Sequence, residues 1–438
     1  MTRPKVFITG GDKIGWAVDE DLKLTRRAIE SIVDLVDLSE AEIVHSLWWY
    51  GLLDHPEEHL KGKRIICHVP GEPFRYLSLP EHRRASNIVG RWITRTGQAA
   101  RQLESIGIKS DLVPYLIDTN LIKPIPTHDL SIKNLKDQLN LPQDWYLIGS
   151  FQRDTEGADL KTPKAAKGPD ILLEILIGMR HRGHRFHVVL AGPRRHWIIK
   201  RLKEEKIPFS YLGQELAHDD LSVNTVERST LNLLYNLIDL YIVASRSEGG
   251  PHAILEAAAS RCKIISTPVG MAPDVLDPIC IYNSPPDAVE LIERDFSKNI
   301  LDKTLDKHYE RIFTTHTPET ATSLFQKIYD EIQGVPIYSF NFSTCSSINH
   351  TRRSNQESER PLTVGLWHKF FNPPYGGGNQ FMMALRKALS QRGMIIKENE
   401  LDESIDAYVL NSIHFDVDLF LEFSRSHRLN VIHRIDGP

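Results

Sequence analysis

Cysteine is scarce in this chain, with four among 438 residues, and Cys67, Cys262, Cys280 and Cys345 show no CxxC spacing. That excludes a disulfide framework and a thiolate zinc site, and predicts ordinary thiols in a reducing compartment. Long apolar runs are also missing, since no stretch approaches the roughly 18 residues a membrane-spanning helix needs. The start, MTRPKVFITGG, enters a strand-like run without the charged start, apolar stretch and cleavage site of a signal peptide. The expectation is a cytosolic protein whose contact with a membrane, if any, is peripheral. Charge of one sign is not in excess either, at 53 basic against 57 acidic residues. This removes the global electrostatic argument for a nucleic-acid partner.

What the chain does have is alternation of strand-like and helix-like segments. Strand-like runs occur at 5–9, AEIVHSL (41–47), RIICHVP (64–70) and WIT (92–94), with helical spacing over LKLTRRAIESIVDLV (22–36). The pattern restarts at WYLIGSF (145–151) and continues through FHVVLAGP (186–193), FSYLG (209–213), DLYIVAS (239–245) and KIISTP (263–268). Such alternation predicts an α/β chain with parallel sheets under covering helices, as two Rossmann-like domains facing across a cleft. After the helical segment 317–334, residues 335–361 are rich in Ser, Asn and charge and read as a tether. LTVGLWHKFF (362–371), a glycine-rich PPYGGGNQ and an amphipathic FMMALRKALSQRG then restart the first plan. VIHRIDGP (431–438) parallels IICHVPGEP (65–73), which places His433 opposite His68. The segment 362–438 therefore reads as a partial third Rossmann-like domain, the front part of a second module.

The most informative motif is SRSEGGPHAILE at 245–256, in which Glu248 and Glu256 stand eight positions apart around Gly249, Gly250 and Pro251. A strand runs into this loop, and Pro251 suits a helix start because its missing N–H would be unpaired there. The helix is expected to begin near His252. Its free N–H groups and positive dipole end would face the C-terminal edge of the sheet, where phosphate is favoured. Taken alone, the two glutamates are equally a helix cap and a solvated helix residue. Taken together, both carboxylates can reach one crevice.

At these residues the chain resembles the retaining glycosyltransferases of the GT-B fold, the group 1 family with its Glu-x7-Glu motif, over SRSEGGPHAILEAAASRCKIISTPVGMAPDVL (245–276). The resemblance implies two Rossmann-like domains, 1–126 for the acceptor and 127–334 for a nucleotide-sugar donor, with the hand-over near 110–124. It implies that Glu256 binds the donor ribose, that Glu248 contacts the transferred sugar, and that Gly249, Gly250, Pro251 and His252 line the donor site. Arg153, just past the strand 145–151, and Lys167, in AAKGPDILLEIL, match the family's phosphate-binding pair. Lys161 and Lys164 lie nearby and leave the choice of lysine open. Asp274 stands where many relatives carry glutamate.

On the other side of the cleft, the resemblance places Gly10 and Gly11 in a loop near sugar and acceptor, although a plain strand-exit turn accounts for them equally. His68 ends a strand at the expected cleft edge, where related enzymes use a histidine on the donor sugar; a structural histidine is the alternative. Asp19, Glu20 and Asp21 mimic a metal-binding DxD, but they sit far in sequence from the nucleotide signature and basic groups already serve the phosphates. No metal and no bound cofactor are expected. Arg83, Arg84, Arg91, Arg95 and Arg101 surround Trp92 and suit either an acidic membrane surface with a lipid-linked acceptor or a solvated helix face. The implied activity is metal-independent, retaining transfer of a sugar from a nucleotide sugar to a glycan or lipid-linked acceptor. A nucleotide-sugar epimerase and a non-catalytic binding scaffold remain the alternatives.

Overall fold

A computed structural model describes residues 3–11, 17–69, 71–76, 85–332, 361–368, 377–411, 419–420, 422–423 and 430–434. The chain forms two units, Met1–Asn341 and Phe342–Pro438.

The first unit holds two parallel sheets. One contains β1 (Lys5–Thr9), β2 (Asp34–Leu35), β3 (Ile43–Ser46), β4 (Arg64–Val69), β5 (Arg91–Thr94) and β6 (Ser110–Leu112), in the order β2-β1-β3-β4-β5-β6. The helix α1 (Ala17–Ile29) follows β1, α2 (Trp49–Leu53) follows β3, and α3 (Gly97–Ser105) follows β5. The other sheet contains β7 (Tyr146–Ser150), a short hairpin of β8 (Thr155–Glu156) and β9 (Thr162–Pro163) apart from it, then β10 (Phe186–Ala191), β11 (Phe209–Leu212), β12 (Leu240–Val243) and β13 (Lys263–Ser266). Its order is β11-β10-β7-β12-β13. That is the doubly wound arrangement, in which strand order reverses between β7 and β12 and opens a crevice beyond their C-terminal ends. Strands buried on both faces read as near-continuous apolar runs, and β10, apolar but for His187, and β12 are buried from end to end.

Four further helices position the crevice: α4 (Pro169–His181), α5 (Arg228–Leu237), α6 (His252–Ala259) and α7 (Asp302–Thr315), with α8 (Pro318–Asp330) closing the unit. A Thr317–Thr320 capping box and Pro318 in the first turn start α8. The segment 317–334, read from sequence as the end of the donor domain, packs elsewhere. Phe325, Ile328 and Tyr329 of α8 join Val6, Ile8, Leu24, Ile29, Ile66 and Ile93 in the first sheet's core. The return crossing is held where Ile117 N donates to His316 O at 2.8 Å and His316 Nδ1 lies 2.8 Å from Tyr115 O.

The run 22–36 is also not one helix. It ends at Ile29, and Asp34–Leu35 pair with Lys5 and Val6 as an edge strand. Two residues cannot display a strand's alternation, so the helical pattern ran on through them.

In the second unit, β14 (Thr363–Trp367), α9 (Gly377–Gln391), β15 (Ile395–Glu398), β16 (Ala407–Asn411) and β17 (Val431–Arg434) form a parallel sheet in the order β15-β14-β16-β17. This repeats β2-β1-β3-β4. The register corrects one detail of the sequence parallel. Thr9 pairs Ser46, and Ser46 pairs Cys67; Trp367 pairs Leu410, and Leu410 pairs His433. His433 thus occupies the place of Cys67, and Arg434 that of His68. A one-residue slip changes the face on which every side chain lies, and short apolar runs do not fix it. Residues 335–360, 373–376 and 435–438 lie outside the described residues. Among the described residues no helix is long and apolar enough to cross a membrane.

Candidate active site in the crevice of the second sheet

The loop after β12 and the loop after β7 meet at the reversal point. Between them lies a cavity of about 380 Å³ lined by Gln152, Arg153, Lys167, Glu248, Gly250, Pro251, His252, Tyr235 and Glu256, with Gly192, Pro193, Thr225 and Val226 further along. The volume falls in the range of roughly 300–1,000 Å³ usual for small-molecule sites. The helix α6 begins at His252, with Pro251 at its N-cap position. Its N-terminal turn therefore forms part of the wall, as expected.

Glu248 does not cap that helix. Its Oε1 accepts from Ser245 Oγ at 2.8 Å and from Lys167 Nζ in a short contact. Lys167 closes a 3₁₀ turn, Ala165–Lys167, whose next residue, Gly168, has φ 59° and ψ 45°. A Cβ on Gly168 would stand 1.9 Å from Ala244 O, so only glycine lets this turn press against β12's exit and deliver Lys167 to the cavity. Gly250 is likewise tight, because a Cβ there would lie 2.2 Å from the Tyr115 ring. Gly249 adjoins it, its carbonyl oxygen facing Gly270.

The three lysines are placed differently. Lys161 is exposed and lines a different hollow, with Asp170 and Trp197. Lys167 faces Glu248. Lys164 is half-buried, and burial together with the charges of Arg153 and Lys167 holds its ammonium below the usual lysine range. Arg153, Lys164 and Lys167 thus lie near one another, with Glu156 and Glu248 as the acidic groups beside them.

Glu256 is buried, 7% exposed. Its Oε2 accepts from Tyr235 Oη at 2.9 Å and its Oε1 from Arg228 Nη1 at 3.2 Å. Burial pushes this carboxyl above its ordinary range, against the pull of Arg228 and Tyr235. Both partners come from α5, seven residues apart and so on one helix face. His252 stacks edge-on against Tyr115 at 5.4 Å. Burial first, then Arg228, Arg95 and Lys167, lower it to about 3, so its imidazole is neutral at physiological pH. Arg228 and Tyr235 were not singled out by sequence, while Lys164 was named without a choice among the lysines. Nothing in α5 except its approach to Glu256 gives the first two away.

The first-sheet candidates fare differently. His68 is not at an open cleft edge: it is fully buried, with Nε2 2.7 Å from His45 Nε2, and His45 Nδ1 lies 2.6 Å from Tyr329 Oη. The strand end that sequence placed at the crevice is roofed by α8. Gly10 packs against Gly51 of α2, whose added Cβ would meet Gly10 Cα at 2.5 Å, and Gly11 adjoins Asp19. Neither lines the cavity, and residues 12–16 between them and α1 lie outside the described residues. The Asp-Glu-Asp triplet sits in the first turns of α1 rather than in a loop, and Asp21 turns inward to a short contact with buried Arg95. Of the basic cluster, Arg91 and Arg95 are held by carboxylates. Arg91 holds Asp111 at 2.6 Å and Glu331 at 2.8 Å, Arg95 holds Asp21, and Arg83 and Arg84 lie outside the described residues.

Residues 162–280, the stretch that contains Lys167, Glu248 and Glu256, match the family model described as Glycosyl transferases group 1. Over that stretch the chain is similar to group 1 glycosyltransferases. Similar solved structures include a sucrose-phosphate synthase from Thermosynechococcus elongatus, 13% identical over 76% of this chain and 99% of that one, with a TM-score of 0.55. HepE of Anabaena in complex with UDP-glucose is 12% identical over 75% of this chain and 99% of its own, with a TM-score of 0.58. A glycosyltransferase from Rickettsia africae is 12% identical over 76% and 99%, with a TM-score of 0.56. The fold is GT-B, and the match to the glycosyltransferase family makes the chain an enzyme of glycosyl transfer. No curated protein sequence matches the chain.

Proposed function

We propose that the chain transfers a sugar from a nucleoside-diphosphate sugar to an acceptor hydroxyl, with retention and without a metal ion, in glycan or glycoconjugate synthesis. The observation that carries this reading is the convergence of Arg153, Lys167, Glu248, Glu256 and the start of α6 on one cavity. The assignments are those the family resemblance implies, and the chemistry of the side chains suits them. Arg153, Lys167 and the α6 N-terminus hold the diphosphate, with Lys164 adding positive charge behind them. Glu256 accepts from the ribose hydroxyls, and Glu248 from those of the sugar. Lys167 and Glu248 hold each other in the structure. A donor phosphate would draw Lys167 away and release Glu248 to the sugar in the same exchange.

The bond from the sugar C1 to the diphosphate oxygen breaks, a bond from C1 to the acceptor oxygen forms, and the acceptor proton passes to the departing diphosphate on the same face. No separate base is needed. His68 is given no part in the transfer, because it is buried against His45 and does not line the cavity. HepE, crystallised with UDP-glucose, makes UDP-sugars the first donors to try. We read 362–438 as part of a second such module, because its strand order repeats that of the first sheet. With Arg91 and Arg95 bound to carboxylates, the basic stretch gives little support to membrane contact.

The test is product analysis by NMR, with UDP-glucose, GDP-mannose and ADP-glucose offered alongside simple glycoside acceptors and a chelator. A new glycosidic signal with the donor's anomeric configuration is expected. An isomerised nucleotide sugar formed without acceptor would instead identify an epimerase, and donor bound but unchanged a scaffold.

A further inference from the structure

Glu20, on the first turn of α1, approaches the donor cavity from the opposite sheet. Arg228 lies between it and Glu256: Nη1 is 3.2 Å from Glu256 Oε1, and Nε is 3.7 Å from Glu20 Oε1. The first separation is a hydrogen bond, while the second is too long for one. Glu20 Oε1 is buried and has no hydrogen-bond partner among the described residues. Its other oxygen lies 4.0 Å from the exposed Lys23. Elsewhere the two halves are already joined. Ser247 Oγ donates to Glu72 Oε2 at 3.0 Å, and Gly97 N donates to Asp274 Oδ2 at 2.8 Å. One ion pair in the seam therefore stops short of a hydrogen bond, and it belongs to the residue that holds Glu256.

We propose that Arg228 is a positioning residue that couples occupation of the cavity to closure of the seam between the two sheets. The inference rests on the reading of Glu256 as the acceptor of ribose hydroxyls. Those hydroxyls donate to a carboxylate that Tyr235 and Arg228 already serve, and they relieve its demand for the guanidinium. Arg228 then turns its fork toward Glu20, and a shift of somewhat under 1 Å converts 3.7 Å into a charge-assisted hydrogen bond. Glu256, whose carboxyl Glu20 helps to hold above its ordinary range, gains the ribose hydroxyls, and Glu20 gains the guanidinium. Because coupling between binding and closure is reciprocal, the Glu20 contact must in turn tighten ligand binding.

The experiment is a double-mutant cycle on the full chain. UDP, GDP, ADP and dTDP are titrated by calorimetry, and the nucleotide that binds is used for Glu20→Gln, Arg228→Gln and the double variant, with Glu256→Ala alongside. Glu20→Gln should weaken binding about fivefold, although Glu20 lines no part of the cavity, and should add nothing once Arg228 is replaced. Amide exchange of α1 should slow on binding in the parent and not in Glu20→Gln, which a merely structural role would not produce. Where Arg228→Gln does not fold, Arg228→Lys serves in the cycle, since it keeps the charge but lacks Nε. Additive effects of the two substitutions, or an α1 response that survives Glu20→Gln, would overturn the coupling while Glu256→Ala still upheld the donor site. Absence of binding by the parent chain would overturn both.

Discussion

Arg153 and Lys167 reach the same cavity from opposite ends of one long excursion between β7 and α4, and their charges matter most where negative charge grows on a leaving diphosphate. Removing one such preorganised donor commonly costs on the order of 3 kcal/mol in the transition state. Arg153→Ala should therefore lower turnover by about two orders of magnitude while leaving the thermal midpoint nearly unchanged. Parallel kinetics and melting curves check this, and an equal loss in both would make Arg153 a structural residue. Much of the site was legible at this scale because glutamates at fixed spacing around a Gly-Gly-Pro turn constrain where their carboxylates go. The partners of those glutamates were not. Arg228 and Tyr235 lie on an ordinary amphipathic helix, and their role arises only from the approach of α5 to α6. His68 misled for the opposite reason, since a histidine at a strand end looks the same in sequence whether the edge is open or roofed.

The roof over that edge is α8, and it belongs to the first sheet although its sequence follows the second. Its apolar face could have served either core; what assigns it is the packing of Phe325, Ile328 and Tyr329 and the Tyr329–His45 hydrogen bond, 2.6 Å long and buried. Tyr329→Phe keeps the volume and leaves His45 Nδ1 without its partner, which should cost about 1–3 kcal/mol. Urea unfolding of the full chain measures it, and an unchanged midpoint would mean that the bond contributes nothing. The strands themselves were readable, because parallel strands buried on both faces appear as continuous apolar runs. The edge strand β2 and the register of β17 were not, since neither two residues nor a one-residue offset leaves a periodic trace.

Over the whole molecule, the repetition of one strand order in both units could be inferred from the restart of the sequence pattern after 361. The first unit also buries a set of imidazoles, with His252 half-buried at the cavity. Burial lowers His45 and His252 to about 3 and His308 and His316 to about 4, with His68 also well below its ordinary value. These rings bind protons more readily in the unfolded chain, so their contribution to stability is complete above the ordinary histidine value near 6.5 and is lost as pH falls from there toward 4 and 3. Each can cost up to about 1.4 kcal/mol per pH unit across that window. Asp239 and Glu256, raised by burial, gain protons in the folded state and offset part of the loss. The urea midpoint should therefore drop between pH 7.5 and pH 5, and a flat profile would contradict the neutral, buried state of these rings.

The central claim is that Glu256 and its neighbours form a nucleoside-diphosphate site that works without a metal ion. Calorimetric titration of the full chain with UDP, GDP, ADP and dTDP in the presence of a chelator, repeated on Glu256→Ala, tests it most directly. Selective binding of one nucleotide, lost or strongly weakened in Glu256→Ala, is the predicted result. No binding to any of them, or equal binding by parent and variant, would contradict it.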